Sequence, residues 1–251
     1  DFEHECNAYE REDYKAAYKL FLPLAEQGDS DAQITLGGMY FEGLGVKQDY
    51  KQAVKWFRLA GYKGDANAQY CMGLLYEGLL CEDWKEVPKD YPKAMNWYLL
   101  SATQKHADAQ YNLGGMNLEG QGTPQNFKEA LRLFRLSAGQ GVAEAQFALG
   151  LMYEQGQGVS RDIETAIYWF NRAAAQKYAL AQTALGSIYE RGIGVRQDYV
   201  RAYMWWEIAA SFNDTYGETL RRLVKKKMSS AQIKRATRRV KNCIKQEYKN
   251  C

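Results

Sequence analysis

Histidine and proline are scarce in this chain of 251 residues, with two and four copies. Sequence motifs that carry chemistry are also absent. There is no Ser-x-x-Lys, Gly-x-Ser-x-Gly, His-Glu-x-x-His or phosphate-binding Gly-x4-Gly-Lys pattern, and no Cys-x2-Cys pair of a zinc site. His106 precedes a helix start, which indicates a turn residue rather than a catalytic base. We therefore expect no enzyme, no catalytic residue, no cofactor, no metal and no small-molecule substrate.

Long apolar runs are lacking too, since none approaches the roughly 18 residues that a membrane-spanning helix requires. Charged residues make up 25% and apolar residues 46% of the chain, which is ordinary for a soluble protein. The chain begins at Asp1 without a leader pattern, and a processed precursor would give the same start.

What the chain does contain is a recurring Ala-Gln dipeptide, followed each time by a Gly four residues after the Gln. The dipeptides are Ala32-Gln33, Ala68-Gln69, Ala109-Gln110, Ala145-Gln146 and Ala181-Gln182. Their spacings are 36, 41, 36 and 36 residues. A fixed period of this size predicts stacked structural repeats rather than one globular core.

Each period has the pattern of two helices. The first carries the Ala-Gln dipeptide and stops at a Gly-x-Gly turn; the second starts at an N-cap such as Asp49 and carries a small residue and a large aromatic pair, such as Ala53 with Trp56 and Phe57. The same frame follows Asp13, Asp90, Asn126, Asp162 and Asp198. We interpret the aromatic pairs as core.

The unit A-x-A-Q-x-x-L-G-x-x-Y-x-x-G-x-G-V-x-x-D-Y-x-x-A-x-x-W-F resembles the Sel1-like repeat, which is related to the tetratricopeptide repeat. This resemblance implies an all-α, right-handed α-solenoid of stacked helix-turn-helix repeats. We expect a capping segment at 1–12, the solenoid at 13–211 and a basic helical C-terminal cap at 212–251. The second repeat departs from the pattern by inserting five residues around Trp84. That insertion is either a binding loop or a connection without function.

By similarity to tetratricopeptide arrays, the first helix of each pair lines a concave groove. Three rows of side chains would face it, at fixed offsets from the Gly of the Ala-Gln-x-x-Leu-Gly frame. The first row is Ile34, Tyr70, Tyr111, Phe147 and Thr183; the second is Gly38, Leu74, Gly115, Leu151 and Ser187; the third is Phe41, Glu77, Leu118, Glu154 and Glu190. We expect a partner protein here, with Lys or Arg opposite the acidic end of the third row. Packing between helices is the alternative role for the first row.

Charge is distributed unevenly. Residues 217–251 hold twelve Lys and Arg against Glu218 and Glu247, a net charge of +10, whereas the rest of the chain has 21 basic and 28 acidic residues, a net charge of −7. We interpret this tail mainly as a solvated cap that closes the stack. An anionic membrane surface is a second candidate partner for it. Nucleic acid is disfavoured, because no base-stacking aromatics are interleaved with the cations.

The five cysteines allow two pairings between residues that are close in sequence, Cys71 with Cys81 and Cys243 with Cys251. Each pairing requires a turn, because a disulfide needs Cα atoms within about 7 Å. The spacing of Cys243 and Cys251 is also similar to that of the helix-bridging pairs in cysteine-rich Sel1 proteins. Such disulfides favour a periplasmic or secreted protein. Five reduced thiols in a cytoplasmic protein are the alternative.

The resemblance favours a non-catalytic scaffold or adaptor that binds a partner protein, in an envelope, virulence or toxin-immunity setting. Two alternatives belong to other classes of function. One is a hydrolase of the β-lactamase-like kind attributed to cysteine-rich Sel1 proteins, which the missing Ser-x-x-Lys disfavours. The other is a binder of nucleic acid or anionic membrane through the basic tail.

Overall fold

The computed structural model describes residues 9, 11–78, 88–248 and 251, and every regular element in these ranges is helical. Thirteen bounded helices follow one another along this part of the chain: α1 Tyr14–Gln27, α2 Ser30–Glu42, α3 Tyr50–Tyr62, α4 Ala66–Glu77, α5 Tyr91–Thr103, α6 Ala107–Glu119, α7 Phe127–Gly139, α8 Ala143–Gln155, α9 Ile163–Ala175, α10 Ala179–Arg191, α11 Tyr199–Ala210, α12 Thr215–Lys225 and α13 Ser230–Lys245. The predicted all-α repeat architecture is confirmed.

The chain divides into two compact units, residues 1–125 and 126–251. In each unit a helix packs mainly against the helices next to it in sequence, as stacked repeats require. We call the helices that carry the Ala-Gln dipeptide A helices (α2, α4, α6, α8 and α10). The helices that follow them are B helices (α3, α5, α7, α9 and α11).

Each B helix begins where the sequence predicts. The residue before it is Asp49, Asp90, Asn126, Asp162 or Asp198, and its side-chain oxygen accepts a hydrogen bond from a first-turn backbone N–H. These bonds satisfy donors that would otherwise lack a partner at the helix start. The N-cap predictions are therefore confirmed.

The A and B helices of one repeat approach closely because a glycine faces an aromatic ring. A Cβ placed on Gly37 would lie 2.6 Å from the Phe57 ring. Gly73, Gly150 and Gly186 face the rings of Tyr98, Phe170 and Trp206 in the same way. Phe57, Tyr98, Phe170 and Trp206 are all buried, so their predicted role as core is confirmed.

The glutamine of each Ala-Gln dipeptide is buried, and its side chain forms a hydrogen bond to the helix that precedes its A helix. The Nε2 atoms of Gln33, Gln69, Gln110, Gln146 and Gln182 donate to carbonyl oxygens eight residues earlier, at 2.9, 3.0, 3.1, 3.2 and 3.2 Å. An alanine or leucine here would leave that carbonyl without this donor. The recurrence of Gln therefore has a structural cause.

The C-terminal cap continues the repeat frame without its motif. Asp214 caps α12 and lies 36 residues after Tyr178, which precedes α10, so α12 takes the place of a further A helix. Gly217 is buried, in frame with the buried Ala181. The last helix, α13, packs against α11. It begins at a capping box between Ser229 and Gln232.

Among the described helices, none combines the length and the apolar character that crossing a bilayer requires.

Two adjacent glycines of α2 give a matched test of this packing. We expect Gly37→Ala to lower the free energy of unfolding by about 1 kcal/mol or more, because overpacking against Phe57 outweighs the gain in helix propensity. Gly38→Ala should raise it by up to about 1 kcal/mol, since nothing lies within 4 Å of an added Cβ. Chemical unfolding of both variants measures the difference, and equal effects would contradict this account of the helix contact.

Candidate partner-binding site

The first row of predicted groove residues lies at the joints between repeats. In the unit of residues 1–125, Tyr70 stacks on His106 just before α6, with ring centroids 4.6 Å apart, and contacts Tyr98 at 6.0 Å. Ile34 packs against the buried cluster that contains Phe57 and Met72. These side chains contribute to packing between helices, the alternative that the sequence left open. Tyr111 is partly buried.

The same joint occurs in the unit of residues 126–251. The Phe147 ring lies 5.6 Å from Phe170 and 5.4 Å from Tyr178, which precedes α10. One repeat later, the Thr183 hydroxyl donates to the carboxylate of Asp214, which precedes α12. Truncation of Phe147 would thus disturb packing as well as any binding surface.

The second row is different, because its two glycines face open space. An added Cβ on Gly38 or on Gly115 would meet no atom within 4 Å. In the same frame α4 carries Leu74, α8 carries Leu151 and α10 carries Ser187, all partly buried. The fold therefore accepts larger side chains at this position, and the described residues give no packing reason for glycine in α2 and α6.

The third row is mixed in character. The Phe41 ring lies 5.4 Å from Tyr50, while Leu118 and Glu154 are partly buried. Glu190 forms an ion pair with Lys227 of the cap, with 2.8 Å between Oε1 and Nζ. The cation expected opposite Glu190 is thus supplied by the chain itself.

A polar cluster lies beside Tyr70. The Tyr98 hydroxyl donates to Glu77 Oε2 at 2.6 Å and accepts from Asn112 Nδ2 at 3.0 Å. Burial raises the pKa of Tyr70 to about 12 and also raises the pKa of Glu77, although the Tyr98 hydrogen bond opposes the second shift. Burial also raises the pKa of Tyr98, so its hydroxyl is protonated at neutral pH and donates to the Glu77 carboxylate.

His106 is the helix cap that its position suggested. Its Nδ1 accepts a hydrogen bond from the Ala109 N–H at 3.2 Å, in the place that Asp29 and Asp65 occupy in the two earlier repeats. Burial lowers the pKa of His106 below its usual 6.5. A neutral ring is required, because only an unprotonated Nδ1 accepts.

The structure describes both members of only one of the two predicted cysteine pairs. Cys243 and Cys251 form a disulfide with Cα atoms 5.0 Å apart. Burial raises the pKa of the Cys71 thiol to about 11, and Cys81, its predicted partner, lies outside the described residues. The pairing of Cys71 with Cys81 stays a prediction. Trp84 and its insertion also lie outside the described residues.

Part of the basic tail pairs with carboxylates. Arg221 contacts Glu207 of α11 at 2.8 Å, Arg222 pairs with Glu218, and Lys227 pairs with Glu190.

Within the described ranges, no three His, Cys, Asp or Glu residues form a group that could hold a metal ion.

The sequence profile of the Sel1 repeat matches residues 8–29, 30–65, 66–106, 107–142, 143–178 and 179–211. The chain belongs to the Sel1 repeat family. Members of this family generally mediate protein–protein interactions and are generally non-catalytic scaffolds.

Solved structures agree with this assignment. A Sel1 repeat protein from Oxalobacter formigenes is 30% identical, with a TM-score of 0.80, covering 87% of this chain and 85% of that one. The c5321 protective antigen of uropathogenic Escherichia coli, which has an SLR fold, is 29% identical with a TM-score of 0.58, covering 94% of this chain and 57% of that one. The comparison with curated proteins finds no match.

The His106 cap predicts a pH dependence of stability. Because the folded-state pKa is depressed, the unfolded chain binds the proton more readily, so the free energy of unfolding should fall as the pH drops below about 6.5. His106→Asp should keep the cap and remove this contribution. Unfolding curves of both proteins at pH about 7.5 and about 5.5 measure it. Equal losses in the two proteins would show that His106 has no part in the pH dependence.

Proposed function

We propose that this Sel1 repeat chain is a non-catalytic adaptor that binds another protein across the exposed faces of its A helices. In the unit of residues 1–125 the contact is centred on the second row, at Gly38, Leu74 and Gly115. The observation that carries the proposal is the open space in front of the two glycines.

A glycine inside a helix costs about 1 kcal/mol of stability relative to alanine. At Gly37 the neighbouring ring explains this cost, whereas at Gly38 and Gly115 no described residue of the chain explains it. A partner whose backbone or large side chain lies directly on the helix would need the space that glycine leaves by having no Cβ. Small residues in this row therefore support close docking of a partner.

The surroundings indicate what kind of partner surface would fit. Leu74, Phe41 and Leu118 are partly buried apolar side chains of the second and third rows, and Tyr111 adds a ring with a polar tip. Such residues are suited to an apolar helix or loop as ligand. In the other unit, Glu154 would favour Lys or Arg on the partner, while Glu190 is already paired with Lys227.

We further propose a periplasmic or secreted setting, which the disulfide between Cys243 and Cys251 supports because such bonds persist in oxidising compartments. The cytoplasm is the alternative. Alkylation of the protein as isolated from its cells, followed by mass spectrometry, decides between the two. Labelling of both Cys243 and Cys251 without prior reduction would contradict the proposal.

The adaptor proposal is tested by filling the space in front of the glycines. Gly38→Leu with Gly115→Leu should fold, since α4 and α8 carry leucine in the same frame, and should weaken partner binding by at least about tenfold. The partner is first captured from envelope and secreted fractions at about 150 mM salt, and its affinity for each variant is then measured.

Gly139→Leu is the matched control, because Gly139 is another helical glycine with open space, at the end of the B helix α7. It should bind the partner like the unchanged chain. If the double variant binds normally while its helical content is preserved, the second row is not the contact surface.

A further inference from the structure

The cations of α13 differ from those of the rest of the cap. Lys234, Arg235, Arg238, Arg239, Lys241 and Lys245 lie on this helix, which has no acidic residue. None of the six forms an ion pair with another described residue, whereas Arg221 and Lys227 are held by Glu207 and Glu190. Like charges three and four residues apart destabilise a helix, so an unneutralised row of this kind favours binding of an anion.

The three arginines among these six cations line one cavity. Arg235, Arg238 and Arg239 line an open depression of about 550 Å³, together with the carboxamides of Asn242 and Gln246. The spacing i, i+3, i+4 and i+7 places the three arginines and Asn242 on one side of α13, and Gln246 follows directly after its last residue. We call these five residues the arginine cradle.

The disulfide forms another part of the same cavity. Cys243 and Cys251 both line it, and the disulfide between them holds Cys251 against α13. The Tyr248 ring in this segment lies 5.6 Å from Phe212. The cavity is therefore formed by the disulfide as well as by the helix surface, and no carboxylate side chain of the described residues lines it.

The donor set selects among anions. Guanidinium groups present planar, paired N–H donors that match phosphate and carboxylate oxygens, and the two carboxamides add further donors. A carboxylate brings one charge and two oxygens, whereas a phosphate group brings up to two charges and three acceptor oxygens. Three arginines around one cavity are better matched by the phosphate.

We propose that the arginine cradle binds a phosphate group, carried either by a soluble phosphate compound or by the headgroup of an anionic phospholipid. This site lies on α13 and is independent of the partner-binding surface of the A helices. Ala236 and Cys243 of α13 are buried in the protein, so this side of the helix is not available for insertion into a bilayer. The proposed binding therefore involves only the headgroup.

The test uses the full 251-residue chain and two probes. Inorganic pyrophosphate is titrated by calorimetry at constant ionic strength, and co-sedimentation is measured with phosphatidylcholine vesicles that do or do not contain phosphatidylglycerol. Arg238→Gln with Arg239→Gln should weaken binding by at least about tenfold, since each arginine loses charge-assisted hydrogen bonds. Lys225→Gln with Lys226→Gln changes the net charge equally, on exposed residues at the end of α12, and should leave binding within about twofold.

Cradle-dependent binding of pyrophosphate but not of vesicles identifies a soluble phosphate as the ligand. Cradle-dependent binding of the phosphatidylglycerol vesicles identifies a lipid headgroup. Equal losses in the two double variants would reduce the effect to net charge and overturn the proposal. Absence of binding to both probes would overturn it as well, and so would displacement of pyrophosphate by a polyglutamate peptide at lower concentration.

Discussion

The buried glutamine of each A helix is the interaction on which the repeat stack depends. Its amide donates to a carbonyl near the end of the preceding helix, as a second donor beside the backbone N–H of the residue three positions later. This bond fixes the position of the A helix relative to the preceding helix. The glycine four residues later then packs against the aromatic ring of the B helix that follows. A buried amide of this kind is strongly directional, so it sets register as well as stability.

The Oε1 atom of the buried glutamine connects it to the residue that follows the next B helix. Gln104 and Gln176, which follow B helices, donate to the Oε1 atoms of Gln69 and Gln146 and also to turn carbonyls one repeat earlier. Gln33 and Gln182 have no partner for Oε1 within the described chain. At the positions equivalent to Gln104 and Gln176, these two repeats carry Lys63 and Phe212, and the Phe212 side chain has no donor for Oε1. Lys63 instead donates to the carbonyl of Gly28.

The repeat architecture, the helix starts and the aromatic core could be predicted from the sequence, because periodicity and capping residues act locally. The first row could not be assigned in the same way. Spacing places Tyr70 and Phe147 on a helix face, but only the three-dimensional stack shows that the residue before the next A helix lies against them. The repeat frame distinguishes Gly37, which recurs in every copy, from Gly38, but only the structure shows that Gly37 faces the Phe57 ring and Gly38 faces open space. The pairing of Glu190 with Lys227 depends on how α12 folds back, which no local pattern specifies.

The position of α12 has a consequence for how long such a chain can be. Asp214 contacts Thr183 at the same kind of junction at which His106 contacts Tyr70 and Tyr178 contacts Phe147, but through a hydrogen bond to threonine instead of ring packing. A further 36-residue copy inserted at residue 211 would offer the cap the same junction, provided that it retains threonine at that place. The number of repeats is thus open to change by duplication, while the closing helices and their cross-linked end are carried along unaltered.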